Sequence, residues 1–307
     1  MKFSFSTGVV LAFVLLGVGQ DAFAWGPATH IGLGGSLLDQ IGLLPAGVAA
    51  ILARHSLAYL YGNIAADVVF AKRLSRVKQF CHHWSTAFRL LEGAADDRSK
   101  SFAYGYLSHL AADTVAHGKF VPRQILVSDS SMGFGHFYWE LRADALEPEP
   151  TWSTLEFVIR DEHADHHDRL QIHLTDTFLS YELNRLLFDR MNALAVRQGF
   201  RRTMNFWTRV SRRPLSGEML AAYHGASVDR MMSVLTDGSR SSVLRDDPNG
   251  TSALMRASVD RKDRRRRKRR GLPIDARLLE SAAGLSPVPR PFTRITGSRD
   301  FTDSAVQ

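Results

Sequence analysis

The chain has 307 residues, of which 45% are hydrophobic, and this length suits one large domain or two small ones with a substantial core. Its net charge of +8 is local, because RKDRRRRKRR at 261–270 carries nine basic residues and one acidic residue. The near-neutral remainder argues against strong binding of a polyanion, so nucleic acid is not the expected partner. The single cysteine, Cys81, excludes an intrachain disulfide.

The first 24 residues have the pattern of a signal peptide. Lys2 precedes an apolar stretch at 9–19 that is short for a membrane span, and the triplet AFA at 22–24 fits the small-x-small cleavage rule. We therefore expect an exported protein, periplasmic or extracellular, with an uncleaved membrane helix as the alternative. Cleavage after the triplet would leave Trp25 as the first residue. Its free α-amine, with a pKa of about 8, could bind a metal together with its carbonyl.

Helical periodicity dominates the chain after residue 24, and we predict an all-α fold with one multi-helix domain over 25–235. Apolar residues recur at helical spacing in four segments, at 30–43, 83–94, 99–118 and about 170–200. Strand-like alternation is scarce, and the best short example is LEFVIR at 155–160.

The composition changes at residue 236 to Ser, Asp, Gly, Pro and Arg, beginning with TDGSRSSVLRDDPNG. We predict a loop-rich, basic, disordered tail over 236–307. Like charges repel, so the tract at 261–270 is expected to be solvated. Its functional alternative is attraction to anionic lipid.

A helix-spaced set of polar residues lies in YLSHLAADTVAHGKF. His109, Asp113 and His117 are four residues apart, so on a helix they share one face. The neighbouring aromatic and leucine side chains indicate that this face is buried. A buried unpaired carboxylate is costly, so Asp113 needs either a metal ion or a hydrogen-bonded histidine, and both alternatives are open at this point.

Four further segments carry polar residues that resemble metal ligands. They contribute Trp25 and His30, Asp67, the adjacent His82 and His83, and the helix-spaced pair His136 and Glu140. Imidazoles, carboxylates and one amine, without thiolates, suit zinc in a hydrolytic site. The set is too large for one ion and suggests two or three, with Asp113 able to bridge a pair.

In their order along the chain, these motifs resemble those of the zinc-dependent phospholipase C family over about residues 25–145. The motifs are Trp25 with His30, the Gly62–Asp67 loop, AYGYLSHLAADTVAHGKF and GHFYWE. The resemblance implies a mostly α-helical fold that binds about three zinc ions and acts on phospholipids. Single-strand-specific zinc nucleases have a similar arrangement of metal ligands, so a nuclease or nucleotidase remains an alternative.

The resemblance also implies a role for each residue. A zinc pair would be held by Asp67, a histidine of the His82-His83 pair, His109 and bridging Asp113, with His30 and the amine and carbonyl of Trp25 on its second ion. A third ion would take His117, His136 and Glu140. His82 is favoured over His83 because bacterial relatives read H-x-W there. The spacing of Asp113 and His117 is more similar to the catalytic domain of glycosylphosphatidylinositol-specific phospholipase D than to toxin-like phospholipases, so either side of the phosphorus could be cut.

The predicted chemistry is hydrolysis of a phosphodiester. Two zinc ions about 3.5–4 Å apart would activate a bridging water for in-line attack on phosphorus, with Asp67 as ligand, proton acceptor or both. The expected partner is a phospholipid or a membrane surface, and no obligate protein partner is inferred. A non-catalytic, zinc-stabilised lipid-binding protein is the alternative from another class. DEHADHHDRL at 161–170 is predicted to be a solvated acidic-histidine face.

Overall fold

The computed structural model describes residues 25–70, 80–130, 132–174, 177–213, 215–273 and 285. Within these ranges the regular structure is helical and contains no strand, which confirms the predicted all-α fold. The predicted signal peptide at 1–24 lies outside the described residues. None of the helices in these ranges is both long enough and apolar enough to span a bilayer.

The α-helices follow in chain order. They are α1 Pro27–Asp39, α2 Ala46–Arg54, α3 Ser56–Ala65, α4 Trp84–Glu92, α5 Asp97–Val115, α6 Val121–Ser128, α7 Met132–Asp144, α8 Glu149–Arg160, α9 Ala164–His173, α10 Tyr181–Ala195, α11 Gln198–Val210, α12 Gly217–Asp237 and α13 Thr251–Arg269. Short 3₁₀ turns cover Ile41–Leu43, Ala66–Val68, Phe80–His82, Gly238–Arg240 and Ser242–Arg245, and a π-helix covers Ala116–Phe120.

Helix α5 lies at the centre of the molecule, with α3, α4 and α12 packed against it. Its crossing with α3 is close because a glycine stands on each side. A Cβ atom added to Gly62 would lie 2.1 Å from the carbonyl oxygen of Phe102, and one on Gly105 would lie 2.0 Å from that of Tyr59. Only glycine permits this approach, and it brings the backbone after Gly62 against the middle of α5.

The first turn of α1 is fixed by a carboxylate from α7. Asp144 accepts hydrogen bonds from the backbone N–H of Thr29 at 2.9 Å, from its hydroxyl at 2.7 Å, and from the N–H of Ala28 at 3.3 Å. An acidic group at this end satisfies orphan N–H groups and complements the helix dipole. Burial raises the pKa of Asp144 to about 6, although the bonds from Thr29 oppose the rise. The start of α1 and the end of α7 are thereby held together.

Several sequence expectations about secondary structure were wrong. LEFVIR lies within α8, where Leu155 and Val158 are buried at helical spacing rather than alternating as in a strand. The segment from about 170 to 200 is not one helix, because it spans the end of α9, all of α10 and the start of α11. The Gly62–Asp67 loop is instead the end of α3 followed by a 3₁₀ turn.

The chain from 238 to 273 also differs from the predicted disordered tail. Helix α13 occupies Thr251–Arg269, and Val243, Leu254 and Ala257 are buried in the core. Arginines of the basic tract lie on this helix, where Arg265 pairs with Asp129 at 2.8 Å. Apolar anchors at the start of α13 and such ion pairs offset the mutual repulsion of the arginines. The remainder of the predicted tail, apart from residue 285, lies outside the described residues.

The histidines of DEHADHHDRL are buried rather than solvated. His163 stacks on Tyr61 with ring centroids 3.5 Å apart, and His166 stacks on Phe102 at 4.4 Å. His167 lies between two tyrosine hydroxyls, with Nε2 2.6 Å from that of Tyr61. These partners are distant in sequence, so the local pattern of charged residues gave the wrong expectation.

Candidate metal centre

Five chain segments bring histidines and carboxylates into one buried cluster. The segments are α1 with His30, the 3₁₀ turn after α3 with Asp67, the 3₁₀ turn before α4 with His82, α5 continuing into the π-helix with His109, Asp113 and His117, and α7 with His136 and Glu140. Each of these side chains is buried. Two groups of three have ligand atoms close enough to share one metal ion, namely His30, His109 and Asp113, and Asp67, His82 and His109.

Asp113 is the centre of the cluster, with no exposed surface. Its Oδ2 lies 3.1 Å from Nε2 of His82 and 3.2 Å from Nε2 of His109, while its Oδ1 lies 3.4 Å from Nε2 of His30. The two oxygens therefore face different imidazoles. A carboxylate arranged in this way can bridge two ions, as the sequence predicts.

The cluster fits metal ions better than it fits a network of hydrogen bonds. Within the described part of the chain, neither oxygen of Asp113 and neither ring nitrogen of His30 has a hydrogen-bond partner of good geometry, although all are buried. Leaving such groups unsatisfied is costly. Nitrogen and oxygen donors without thiolates match the preferences of zinc, and ions between them would satisfy these atoms.

Neighbouring groups orient the imidazoles toward the centre. Nδ1 of His109 lies 2.8 Å from the carbonyl oxygen of Asn63, delivered by the close crossing of α3 and α5. Since a carbonyl can only accept, Nδ1 donates to it, which leaves Nε2 as the ring nitrogen available to a metal ion. Nε2 of His82 lies 3.1 Å from that nitrogen and 3.3 Å from Oδ1 of Asp67. Both Nε2 atoms thus point at the space beside Asp113.

The protonation states of the central groups suit a cation. Burial, and secondly the neighbouring imidazole of His109, lower the pKa of His30 and favour its neutral form. Burial alone raises the pKa of Asp113, but contacts with His109, His30 and His82 outweigh it and hold the pKa well below its usual range. A neutral imidazole beside an ionised carboxylate is the pairing that binds a metal ion.

A second group adjoins the first across Asp113. His136 and Glu140, one turn apart on α7, approach to 3.2 Å between Nε2 and Oε1. The ring of His117 meets that of His136 edge-on, with centroids 4.9 Å apart, and its Nε2 lies 3.8 Å from Oδ2 of Asp113. His117 stands on the π-helix, a distortion often found at functional sites. These are the three residues to which the family resemblance assigns a third ion, and the binding of an ion there stays a prediction.

Two predicted ligands stand apart from the cluster. His83 is exposed, so the structure brings His82 rather than His83 to the centre. The indole of Trp25 is buried, stacked on Phe120 with centroids 4.7 Å apart and edge-on to His224 at 5.3 Å. In the 307-residue chain the nitrogen of Trp25 belongs to the peptide bond with Ala24, so its predicted role as an amine ligand stays a prediction.

The C-terminal part of the chain supports the site through contacts that no sequence motif indicated. The side-chain amide of Asn249 donates to the carbonyl of His82 at 3.3 Å. Gly250 has a φ of 56°, and a Cβ there would lie 2.3 Å from the carbonyl oxygen of His117. The glycine in DDPNG was a visible signal for a left-handed turn, but nothing local indicated that this turn would touch two histidine segments.

A cavity of about 230 Å³ opens beside the cluster. Asp67 and Glu140 form part of its wall, and most other lining residues are apolar. Its apolar side chains come from α3 and the turns after it, from α7 and α8, and from α10 and α11: Ile64, Phe70, Phe137, Leu141, Trp152, Phe188, Met191, Leu194, Ala195, Phe200 and Met204. No sequence pattern predicted this wall, yet α8, α10 and α11 supply much of it.

The fold and the site define a helical protein whose buried histidines and carboxylates are able to bind metal ions. A family model described as zinc dependent phospholipase C matches residues 29–186, which is more than half of the chain, and the chain belongs to this family. The match includes every predicted ligand except Trp25. No curated protein and no solved structure matches the chain.

Proposed function

We propose that the protein is an exported zinc enzyme that hydrolyses phospholipids at a centre of about three ions. The observation that carries this proposal is the apolar cavity bounded by Asp67 and Glu140. An acyl chain has no hydrogen-bonding groups, so it gains most from burial against side chains such as Phe137 and Met204. A phosphodiester group at the mouth of such a cavity would lie beside the metal-binding residues.

The buried residues would divide the work of holding the ions. Asp67, His82, His109 and Asp113 would hold one ion of a pair, His30 and Trp25 would complete the other, and His117, His136 and Glu140 would hold a third. Zinc bound there would supply Lewis acidity, lowering the pKa of water to about 7 and neutralising phosphoryl oxygens. The carbonyl of Asn63 would accept a hydrogen bond from Nδ1 of His109 and so orient Nε2 toward an ion.

Asp67 is the carboxylate placed to act on a substrate. Its side chain is 9% exposed and borders the cavity, whereas that of Asp113 is fully enclosed. Asp113 is therefore restricted to holding ions, while Asp67 can also accept a proton from the attacking water. The water oxygen would bond to phosphorus as the bond to the leaving oxygen breaks, while the water proton would pass to the Asp67 carboxylate, which could return it to the leaving oxygen.

The charge of the cavity favours a lipid over a nucleic acid. Of the lining residues that the structure describes, Arg201 is the only basic one, while Asp67, Glu140, Asp144 and Glu147 are acidic. Arg201 forms a bidentate pair with Glu149. Single-stranded nucleic acids bind along positively charged grooves, so we place the nuclease second.

The direct test compares substrates on one preparation. Protein of measured zinc content is incubated with phosphatidylcholine, phosphatidylinositol and single-stranded DNA, and the lipid products are identified. We expect phospholipid hydrolysis to exceed DNA cleavage, and diacylglycerol or phosphatidic acid as product would show which side of the phosphorus is cut. Preferential DNA cleavage would favour the nuclease, and binding of lipid by zinc-loaded protein without hydrolysis would favour a non-catalytic protein.

The cavity can be tested separately with Ala195→Trp. The larger side chain would fill space in a wall that does not hold metal, so zinc content should stay unchanged. We expect hydrolysis of long-chain phosphatidylcholine to fall at least about tenfold, since excluding an apolar chain forfeits well over 1.4 kcal/mol. Hydrolysis of a soluble phosphodiester without acyl chains is the control and should be retained. An equal loss on both substrates would argue against the acyl-chain role.

A further inference from the structure

Helix α11 lies on the surface with large apolar side chains in solvent. It has no buried residue, and Phe206 and Trp207 are each 60% exposed while Val210 is 52% exposed. The rings of Phe206 and Trp207 contact edge-on, with centroids 6.2 Å apart. Adjacent exposed aromatics of this kind mark an interaction surface rather than ordinary scattered apolar residues.

The two sides of α11 face different surroundings. Phe200 and Met204, four residues apart, line the cavity beside the candidate metal centre. Phe206 and Val210, also four residues apart, share the side that faces away from the protein. The apolar surface of the helix therefore extends beyond the part that the protein covers, and it runs from the cavity wall to solvent.

The charge around α11 identifies what would cover this surface. Residues 197–213 contain six arginines and no acidic residue. Arg201 binds Glu149, but Arg202, Arg209 and Arg212 are exposed and form no ion pair with any residue that the structure describes. Exposed aromatics flanked by arginines are typical of helices that lie in the interface of an anionic bilayer.

We propose that α11 is an interfacial helix that docks the protein on an anionic lipid bilayer. Phe206, Trp207 and Val210 enter the headgroup region, and Arg202 and Arg209 contact lipid phosphates. Because Phe200 and Met204 of the same helix form a wall of the cavity, docking places the cavity beside the lipid. This inference rests on the proposed function for its purpose, but lipid binding can be measured without hydrolysis.

The test is vesicle sedimentation of the zinc-loaded protein. Vesicles are made of phosphatidylcholine alone or of an equal mixture with phosphatidylglycerol. We expect tight binding to the mixed vesicles at low salt, weaker binding to phosphatidylcholine, and a decrease in binding as salt is raised.

Phe206→Ser with Trp207→Ser should weaken vesicle binding at least about tenfold because two aromatic insertions are lost. Arg202→Gln with Arg209→Gln should cost roughly tenfold or more on mixed vesicles only.

Leu43→Ser with Ile172→Ser is the matched control. Both residues are more exposed than the aromatics, at 72% and 71% against 60%, and they lie on elements that do not line the cavity. This control should bind like the wild type, and circular dichroism and zinc content should be unchanged in all variants. Equal vesicle binding by wild type and the Phe206/Trp207 variant would overturn the inference. So would a wild-type dimer, seen by light scattering, that the variant abolishes without any change in vesicle binding.

Activity on two physical forms of substrate separates this inference from the proposed function. We expect the Phe206/Trp207 variant to lose hydrolysis of vesicles while keeping hydrolysis of a monomeric short-chain phosphatidylcholine. Vesicle binding through α11 with no hydrolysis of any phospholipid would support the docking surface and overturn the proposed function. Hydrolysis of both substrate forms by the Phe206/Trp207 variant at the wild-type rate would support the proposed function and overturn the docking surface.

Discussion

Asp113 lies between the two groups of the cluster, and its negative charge is the one on which ion binding depends most. Asn has nearly the same shape, so Asp113→Asn should fold, but it cannot offer two anionic oxygens to a pair of ions. We expect loss of at least one zinc ion and a fall in activity of more than about 100-fold, since even residues that only support ligands cost 10–100-fold. Elemental analysis and a phospholipase assay on one sample measure both. Asp97→Asn, on the exposed first turn of the same helix, should change neither, and a fully active Asp113→Asn protein would refute the bridging role.

Variants at Trp25 can distinguish a role of its indole from a role of its backbone amine and carbonyl. If the mature chain begins at this residue, its amine and carbonyl are the predicted ligands, whereas the indole packs on Phe120. Trp25→Phe with correct cleavage should therefore retain zinc and much of the activity, at some cost in stability from the smaller ring. An extra residue before Trp25 turns the amine into an amide, which binds zinc poorly, and should lower zinc content and activity. Mass spectrometry must first verify each N-terminus, and equal activity of the extended protein would show that the amine is not needed.

At the scale of elements, residue spacing predicted local structure correctly, whereas contacts between distant segments could not be predicted. The four-residue spacing of His109 and Asp113 predicted one buried helical face, and α5 confirms this because both point into the core. The π-helix at His117 was not foreseen, and its contacts are distant in sequence: Phe120 stacks on Trp25, and Gly250 lies against the carbonyl of His117. Similarly, nothing between residues 236 and 250 indicated that Asn249 would reach His82. The sequence therefore predicted which residues gather, but not the turns that hold them.

Helix α9 provides a prediction about pH because its histidine face is buried. Burial lowers the pKa of His166 from 6.5 to about 3, so the folded protein keeps this ring neutral where the unfolded chain binds a proton. The contribution of this neutral ring to the free energy of unfolding is fully present above pH 6.5. It is lost as the pH falls toward 3, at up to about 1.4 kcal/mol per pH unit. His166→Phe, which can stack on Phe102, should lose stability less steeply between pH 7 and 5 in urea unfolding. His55→Phe, at a partly exposed site, is the control, and parallel curves for wild type and His166→Phe would contradict the prediction.

At the scale of the whole molecule, the candidate metal centre ties together segments from residue 30 to residue 140. Asn249 and Gly250 extend this network to the segment before α13. The chain has one cysteine, Cys81, which is buried, so no intrachain disulfide can link its segments. Ions at the cluster are thus the strongest cross-links available to the fold, and their binding free energy becomes folding free energy.

Removing metal should therefore destabilise the entire domain rather than only the site. We expect about three zinc ions per chain by elemental analysis, because nine ligand residues with one bridging fill three sites of three or four ligands. Exhaustive chelation should lower the free energy of unfolding by at least about 5 kcal/mol and Tm by at least about 10 °C. Zinc should restore both, whereas magnesium should not, since it prefers oxygen ligands.

Asp113→Asn should lose less Tm on chelation than the wild type, because it starts with fewer ions. An unchanged Tm after chelation, or a content of one ion or none, would mean that hydrogen bonds between the buried histidines and carboxylates hold the cluster instead.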